Sequence, residues 1–220
     1  MEKQLNDLSF NYMRIKGVDC KLIENKYVGM IDNIKYNIDN EHHINGQIGC
    51  LLSHIKCFLQ IINDNVDIGI IMEDDISFKY IGLWADNFDN IIKNAPSDWE
   101  IIKLHCSFPK IISYFILKYE NTGIKYIKNN NMENNTSTCL YIVNRKYINN
   151  FLERYYKNNE LNIKGNIAAD YLLYNNFNVY NYTIPLVISN CNISIIINKH
   201  NKFDIKSNKI IINYYNKKLI

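Results

Sequence analysis

A chain of 220 residues with 47% hydrophobic and 21% charged residues is sized for one domain, or one domain with a small appendage, and excludes wholesale disorder. Its formal net charge of +3, with basic residues scattered rather than blocked, carries no nucleic-acid signature. No run of about 18 apolar residues exists and residues 1–10 lack the apolar core of a signal peptide, so neither a membrane span nor export is expected and a cytoplasmic location is.

The chain holds 36 Asn and only 4 Ala, the bias of an AT-rich coding sequence. Asparagine therefore often stands where another polar residue would serve, and chance accounts for the sequons at Asn134, Asn135, Asn181 and Asn192. Six cysteines, at 20, 50, 57, 106, 139 and 191, form no CxxC pair and no zinc-spaced cluster with histidine. Several sit in apolar segments, so free thiols in a reducing compartment are expected.

Taken in chain order, Met1–Leu8 reads as a short helix and Phe10–Ile15 alternates like a strand. Val18–Asn45 is polar and mixed, a loop with short elements. Ile48, Leu51, Leu52, Ile55, Phe58, Leu59 and Ile62 recur at helical spacing and predict a helix over 48–63. Polar breakers follow. The run Ile68-Gly69-Ile70-Ile71-Met72 is too short for a helix and suits a strand buried on both faces. Phe88–Asn94 reads as helix, Pro96-Ser97-Asp98 as a turn and Trp99–Leu104 as a second buried strand. Cys139–Val143 is a third strand, followed by a helix from about Arg145 to Tyr156. Ala168–Asn176 is helical, and Tyr180–Val187 is strand-like as far as Pro185. Residues 199–220 read as a basic polar tail to a domain spanning 1–198. Strands alternating with helices predict an α/β fold with a mostly parallel sheet covered by helices.

Glu73, Asp74 and Asp75 directly follow the buried run ending at Met72. Ligands of open α/β sheets bind outside the carboxyl ends of strands, which is where this triplet falls. Adjacent carboxylates at a strand end repel one another unless a cation or hydrogen-bond donors compensate. A hard divalent ion, Mn²⁺ or Mg²⁺, suits three oxygen donors. A solvated acidic turn is the plain alternative.

The segment Gly46-Gln47-Ile48-Gly49-Cys50-Leu51-Leu52-Ser53-His54 resembles the Gly-x-x-Gly-Cys-x-x-Ser-His segment of glycosyltransferase family 25, which includes lipopolysaccharide and collagen galactosyltransferases. In that family a helix and an apolar strand ending in Glu-Asp-Asp follow, as Ile70–Asp75 do here. Pro96–Leu104, Thr136–Val143, Asp170-Tyr171-Leu172-Leu173, Pro185-Leu186-Val187 and Ser194-Ile195 match later blocks more loosely. Family members open with an Ile-Asn-Leu strand that helps to form the nucleotide pocket. This chain begins about where the following helix would stand, so that strand is expected to be missing or to lie upstream in a longer frame.

The resemblance implies a GT-A-like, Rossmann-like fold and an inverting, metal-dependent transfer of a hexose, galactose or glucose, from a UDP-sugar to a glycan or protein hydroxyl. It implies Asp75 as the main metal ligand, with Asp74 or Glu73 assisting or holding the ribose, and Ser53 and His54 as donor-binding candidates. Gly46 and Gly49 would permit a close approach before the helix. Asp170, near a helix start, is the candidate base for the acceptor hydroxyl; a first-turn acid that only stabilises its helix is the alternative. A degenerate, non-catalytic transferase-like module that binds a partner is the competing function. A phosphohydrolase would need a second acidic or histidine cluster at useful spacing, which the chain lacks. Oligomeric state is left open.

Overall fold

The computed structural model describes residues 1–25, 27–31, 33–39, 44–130, 137–189 and 200–219, the side chains of 200–202 excepted. In chain order the elements are α1 (Glu2–Asp7), β1 (Val28–Ile31), β2 (Ile34–Asp39), α2 (Asn45–Asn63), β3 (Ile68–Met72), β4 (Ile76–Ser77), α3 (Phe88–Lys93), β5 (Ile101–Lys103), α4 (Pro109–Thr122), β6 (Tyr126–Lys128), β7 (Leu140–Asn144), α5 (Arg145–Tyr155), β8 (Tyr156–Lys157), β9 (Glu160–Lys164), α6 (Ala169–Asn176), β10 (Val179–Tyr182), β11 (Ile188–Ser189) and α7 (His200–Asn216). The sequons at Asn134, Asn135 and Asn192, Cys191, the Ser194-Ile195 match and the expected boundary at 198 lie outside the described residues. Cys20, Cys50, Cys57, Cys106 and Cys139 are free thiols. Asn181, the remaining sequon, is buried and offers no acceptor for a glycan.

Residues 1–12, 70–142 and 178–220 form one compact unit, and 13–69 with 143–177 form a second. The first unit carries a five-stranded sheet in the order β3-β7-β5-β10-β6 and a two-stranded ribbon of β4 with β11. β10 runs parallel to β5 and antiparallel to β6. Helix α4 begins on Pro109, whose missing N–H costs nothing in a first turn. It ends on Gly123 in the left-handed region at φ 70°, with the Gly123 N–H on the Tyr119 carbonyl. Helix α7 packs against α4 and β11. Ser207, Ile211, Tyr214 and Tyr215 are its buried face, and Tyr215 stacks on Tyr80 at 4.7 Å. The polar tail expected after 199 is thus largely helix. Its buried positions at i, i+4, i+7 and i+8 begin on a serine and are diluted by Lys and Asn, which hides the period from a composition-based reading.

The second unit is built on a four-stranded sheet, β1-β2-β9-β8, and on α2, α5 and α6. β2 pairs parallel to β9, while β1–β2 and β8–β9 are antiparallel. Both hairpins turn on asparagines with positive φ: Asn33 at 66°, and the pair Asn158–Asn159 at 52° and 61°. Asparagine tolerates that region, and two such residues in succession make the tight turn that matches strand twist. Helix α2 buries Ile48, Leu51, Leu52, Ile55 and Phe58 at the predicted spacing. The Phe58 ring meets Phe151 and Phe177 edge-on, at 5.8 and 6.0 Å between centroids.

Two expectations are corrected. The sheets are mixed rather than mostly parallel, because hairpins, and not only helical crossovers, deliver their strands. Phe10–Ile15 is not a strand; Phe10 packs instead against the rings of Phe78 and Phe88, at 5.7 and 5.8 Å. Ring packing, and not strand pairing, accounts for the apolar residue at that position. Because Phe58 is fully buried among aromatic rings, Phe58→Ala should cost about 3–5 kcal/mol, read as a lower urea midpoint with an unchanged slope.

Candidate active site

The acidic triplet occupies the turn between β3 and β4, in the first unit. β3 is specified by its apolar run, and the Glu73 N–H continues its ladder by donating to the Cys139 carbonyl at 2.9 Å. The segment leading into β7 then wraps the Glu73 side chain. The Thr138 hydroxyl donates to Oε1 at 2.6 Å, and the Cys139 thiol donates to Oε2 at a long 3.9 Å. Burial, with Glu73 and Asp75 close by, pushes that thiol well above its ordinary range, so it is an S–H donor and not a thiolate.

Asp74 is exposed, whereas Asp75 is half-buried with its Oδ1 sealed from solvent and without a hydrogen-bond partner among the described residues. Burial, then the charges of Glu73, Asp74 and Asp204, raise the Asp75 carboxyl to about 6. Asp204 comes from α7. It lies in the segment whose composition predicts a polar tail, and no motif marks it; only the diluted helical period of α7 indicates which residues share its face. Glu73, Asp75 and Cys139 place their ligand atoms within 4.8 Å of one another. An acidic cluster with a buried, unpartnered oxygen is electrostatically incomplete, and the donors it presents are the carboxylate oxygens that Mn²⁺ or Mg²⁺ prefers. The residues present therefore fit a hard divalent cation.

Beside this turn, at the carboxyl end of β5, lies a group of buried polar residues that sequence reading passed over: Lys103, His105, Asn181 and Thr183. His105 Nδ1 and Ser137 Oγ are hydrogen-bonded at 2.7 Å, and Ser137 Oγ also accepts the Cys139 N–H at 3.3 Å. Burial holds the imidazole down to about 4, with Lys103 adding to the effect and Glu73 opposing it, so the ring is neutral at pH 7. A cavity of about 20 Å³ adjoins it, lined among others by Lys103, Asn181, Thr183, Phe115 and Ile211.

The other residues singled out by sequence belong to the second unit. Ser53 is engaged on α2: its hydroxyl donates to the Gly49 carbonyl at 2.7 Å and accepts the Val18 N–H at 2.9 Å. His54 is buried on the same helix. Gly49 meets its expected use, since a Cβ there would come within 3.1 Å of the Val18 carbonyl oxygen. Asp170 sits in the first turn of α6, half-buried, with Oδ1 accepting the Tyr171 N–H at 2.8 Å. Glu73, Asp74 and Asp75 are thus held together in one turn, Ser53 and His54 share one helix, and Asp170 stands on another.

An α/β protein with an acidic turn at a strand end presents charged groups where ligands of such folds bind. The family model described as glycosyltransferase family 25 (LPS biosynthesis protein) matches residues 1–173, and the chain belongs to that family. It is accordingly a glycosyltransferase. It matches none of the curated proteins with which it was compared.

The Asp75 carboxyl predicts a pH-dependent stability difference. Its folded value of about 6 exceeds the unfolded 3.8. The folded chain therefore binds more protons between those limits, and ionising Asp75 costs the fold stability that is fully lost above about 6. Asp75→Asn without metal should raise Tm at pH 8 by about 2–4 °C, with the gain vanishing below about pH 4. His105 titrates over a similar window with the opposite sign, so variant and parent are compared at each pH, where that shared contribution cancels.

Proposed function

We propose that this glycosyltransferase moves a hexose, galactose or glucose, from a UDP-sugar to a hydroxyl of a glycan or protein, with inversion and with a divalent cation at the acidic turn. The observation that carries the reading is Asp75 Oδ1: buried, unpartnered among the described residues, and ringed by Glu73, Asp74 and Asp204. Asp75 and the exposed Asp74 would hold Mn²⁺ or Mg²⁺, with Glu73 anchored behind them by Thr138. A cation bound there supplies positive charge against the diphosphate as it departs.

In a single inverting displacement, the acceptor oxygen forms its bond to the sugar C1 while the C1–O bond to the diphosphate breaks. UDP leaves with that electron pair, and a base takes the hydroxyl proton. Asp170 is the candidate for that base, a half-buried side chain whose Oδ1 accepts the Tyr171 N–H. Ser53 and His54 are the donor-binding candidates on α2, where Ser53 also ties Gly49 to the Val18 backbone.

Mn²⁺ with UDP-galactose or UDP-glucose should raise the parent's Tm, by the equivalent of about 2.7 kcal/mol at a hundredfold excess over Kd. Asp75→Ala should abolish the shift; a parent indifferent to every nucleotide sugar would defeat the reading. Mn²⁺ affinity should decline as pH falls through about 6, because the Asp75 carboxyl must lose its proton to bind. Asp170→Asn should keep the donor-induced Tm shift and lower kcat by about 10²–10⁴-fold, measured as UDP release with acceptor present.

A further inference from the structure

Glu73 is held through backbone and side chain by one short segment, residues 137–139. The Cys139 carbonyl takes the Glu73 N–H, while Thr138 and Cys139 donate to its two carboxylate oxygens. That segment is itself strained. Ser137 sits at φ 75°, in the left-handed region that a side chain other than Asn or Asp rarely enters. Such a residue costs free energy and persists only where its surroundings over-determine it. The described contacts of its hydroxyl come from two sides: the Cys139 N–H at 3.3 Å, and His105 Nδ1 at 2.7 Å.

His105 has the rigidity to hold such a turn. It follows β5 into the core, is almost wholly buried and lies beside the buried Lys103. Its Nε2 is buried with no partner among the described residues, as is Asn181 Oδ1, and both residues line the same cavity of about 20 Å³. That space and its polar lining suit one ordered water. We propose that His105 is a positioning residue of the acidic site, acting through Ser137 to hold the 137–139 turn that fixes Glu73. This assignment rests on the acidic turn being the cation site proposed above. It divides the triplet's labour: Glu73 is the anchored acid and Asp75 presents the open oxygen.

The test uses the full chain and Mn²⁺ alone, titrated by the loss of the free-ion EPR signal. His105→Leu removes the ring nitrogen that meets Ser137. His105→Asn keeps a polar δ atom bonded to Cγ, where Nδ1 stands in the histidine. Loss of a group that orients a metal-binding residue lowers affinity by about 10–100-fold. His105→Leu should do so, and His105→Asn should recover most of it, an outcome that loss of packing would not give. Ser137→Gly accepts φ 75° without strain but severs the link. In that background, His105→Leu should therefore add no further loss of Mn²⁺ affinity.

Mn²⁺ binding in His105→Leu equal to the parent's, or losses in the two variants that multiply, would overturn the assignment. If the parent itself takes up no Mn²⁺, the cation reading fails, and His105 is judged separately by amide hydrogen exchange. The Glu73 and Cys139 amides should then exchange about tenfold faster in His105→Leu, the effect of losing one hydrogen bond, and return toward the parent rate in His105→Asn. Exchange unchanged in His105→Leu would overturn the positioning role independently of any metal.

Discussion

The candidate site depends on one electrostatic constraint: a carboxylate oxygen, Asp75 Oδ1, kept from water and given no donor among the described residues. An ionised carboxylate in that position is costly, and the neighbouring acids make it more so. Proteins relieve such a cost by protonation or by a bound cation. The raised carboxyl is the response without metal, and oxygen coordination would be the response to the proposed cation. On the proposed reading, a cation that relieved the acids would also offset the charge of a diphosphate leaving group.

The three acids are not equivalent, although they are adjacent. A turn sends consecutive side chains in different directions, so Asp74 reaches solvent, Asp75 turns inward and Glu73 lies along the 137–139 segment. Three hydrogen bonds between Glu73 and that segment, one donated by the Glu73 N–H and two accepted by its carboxylate, make it part of the framework between β3 and β7. His105, Ser137 and the cavity behind them extend this framework into the polar end of β5. Buried polar groups of this sort are stabilising only when their partners are complete, so the geometry of the acidic turn and the packing at the end of β5 are tied together.

The asparagine-rich composition also has structural uses. Asn33, Asn158 and Asn159 adopt positive φ at hairpin turns, Asn87 and Asn144 cap helices through their side chains, and Asn208 clamps the Ser189 backbone from both sides. These asparagines do work that glycine, serine or aspartate commonly perform. A bias in composition thus removed the usual punctuation from the chain, and that is why β1, β2, β8 and β9 were hard to read beforehand.

The sequence by itself determined the elements whose hydrophobic period is strong and local: α2, β3, β5, β7 and α5, and with them the placement of an acidic triplet at a strand end. It also carried the family through the Gly-x-x-Gly-Cys-x-x-Ser-His and Glu-Asp-Asp blocks. Only the tertiary structure decided that the sheets are mixed, that the polar C-terminal segment is largely a helix bringing Asp204 toward Asp75, and that His105 is hydrogen-bonded to Ser137. Periodicity reports which face of one element is buried. It carries no information on which distant charge or donor meets that face, because such pairings are set by packing between segments far apart in the chain.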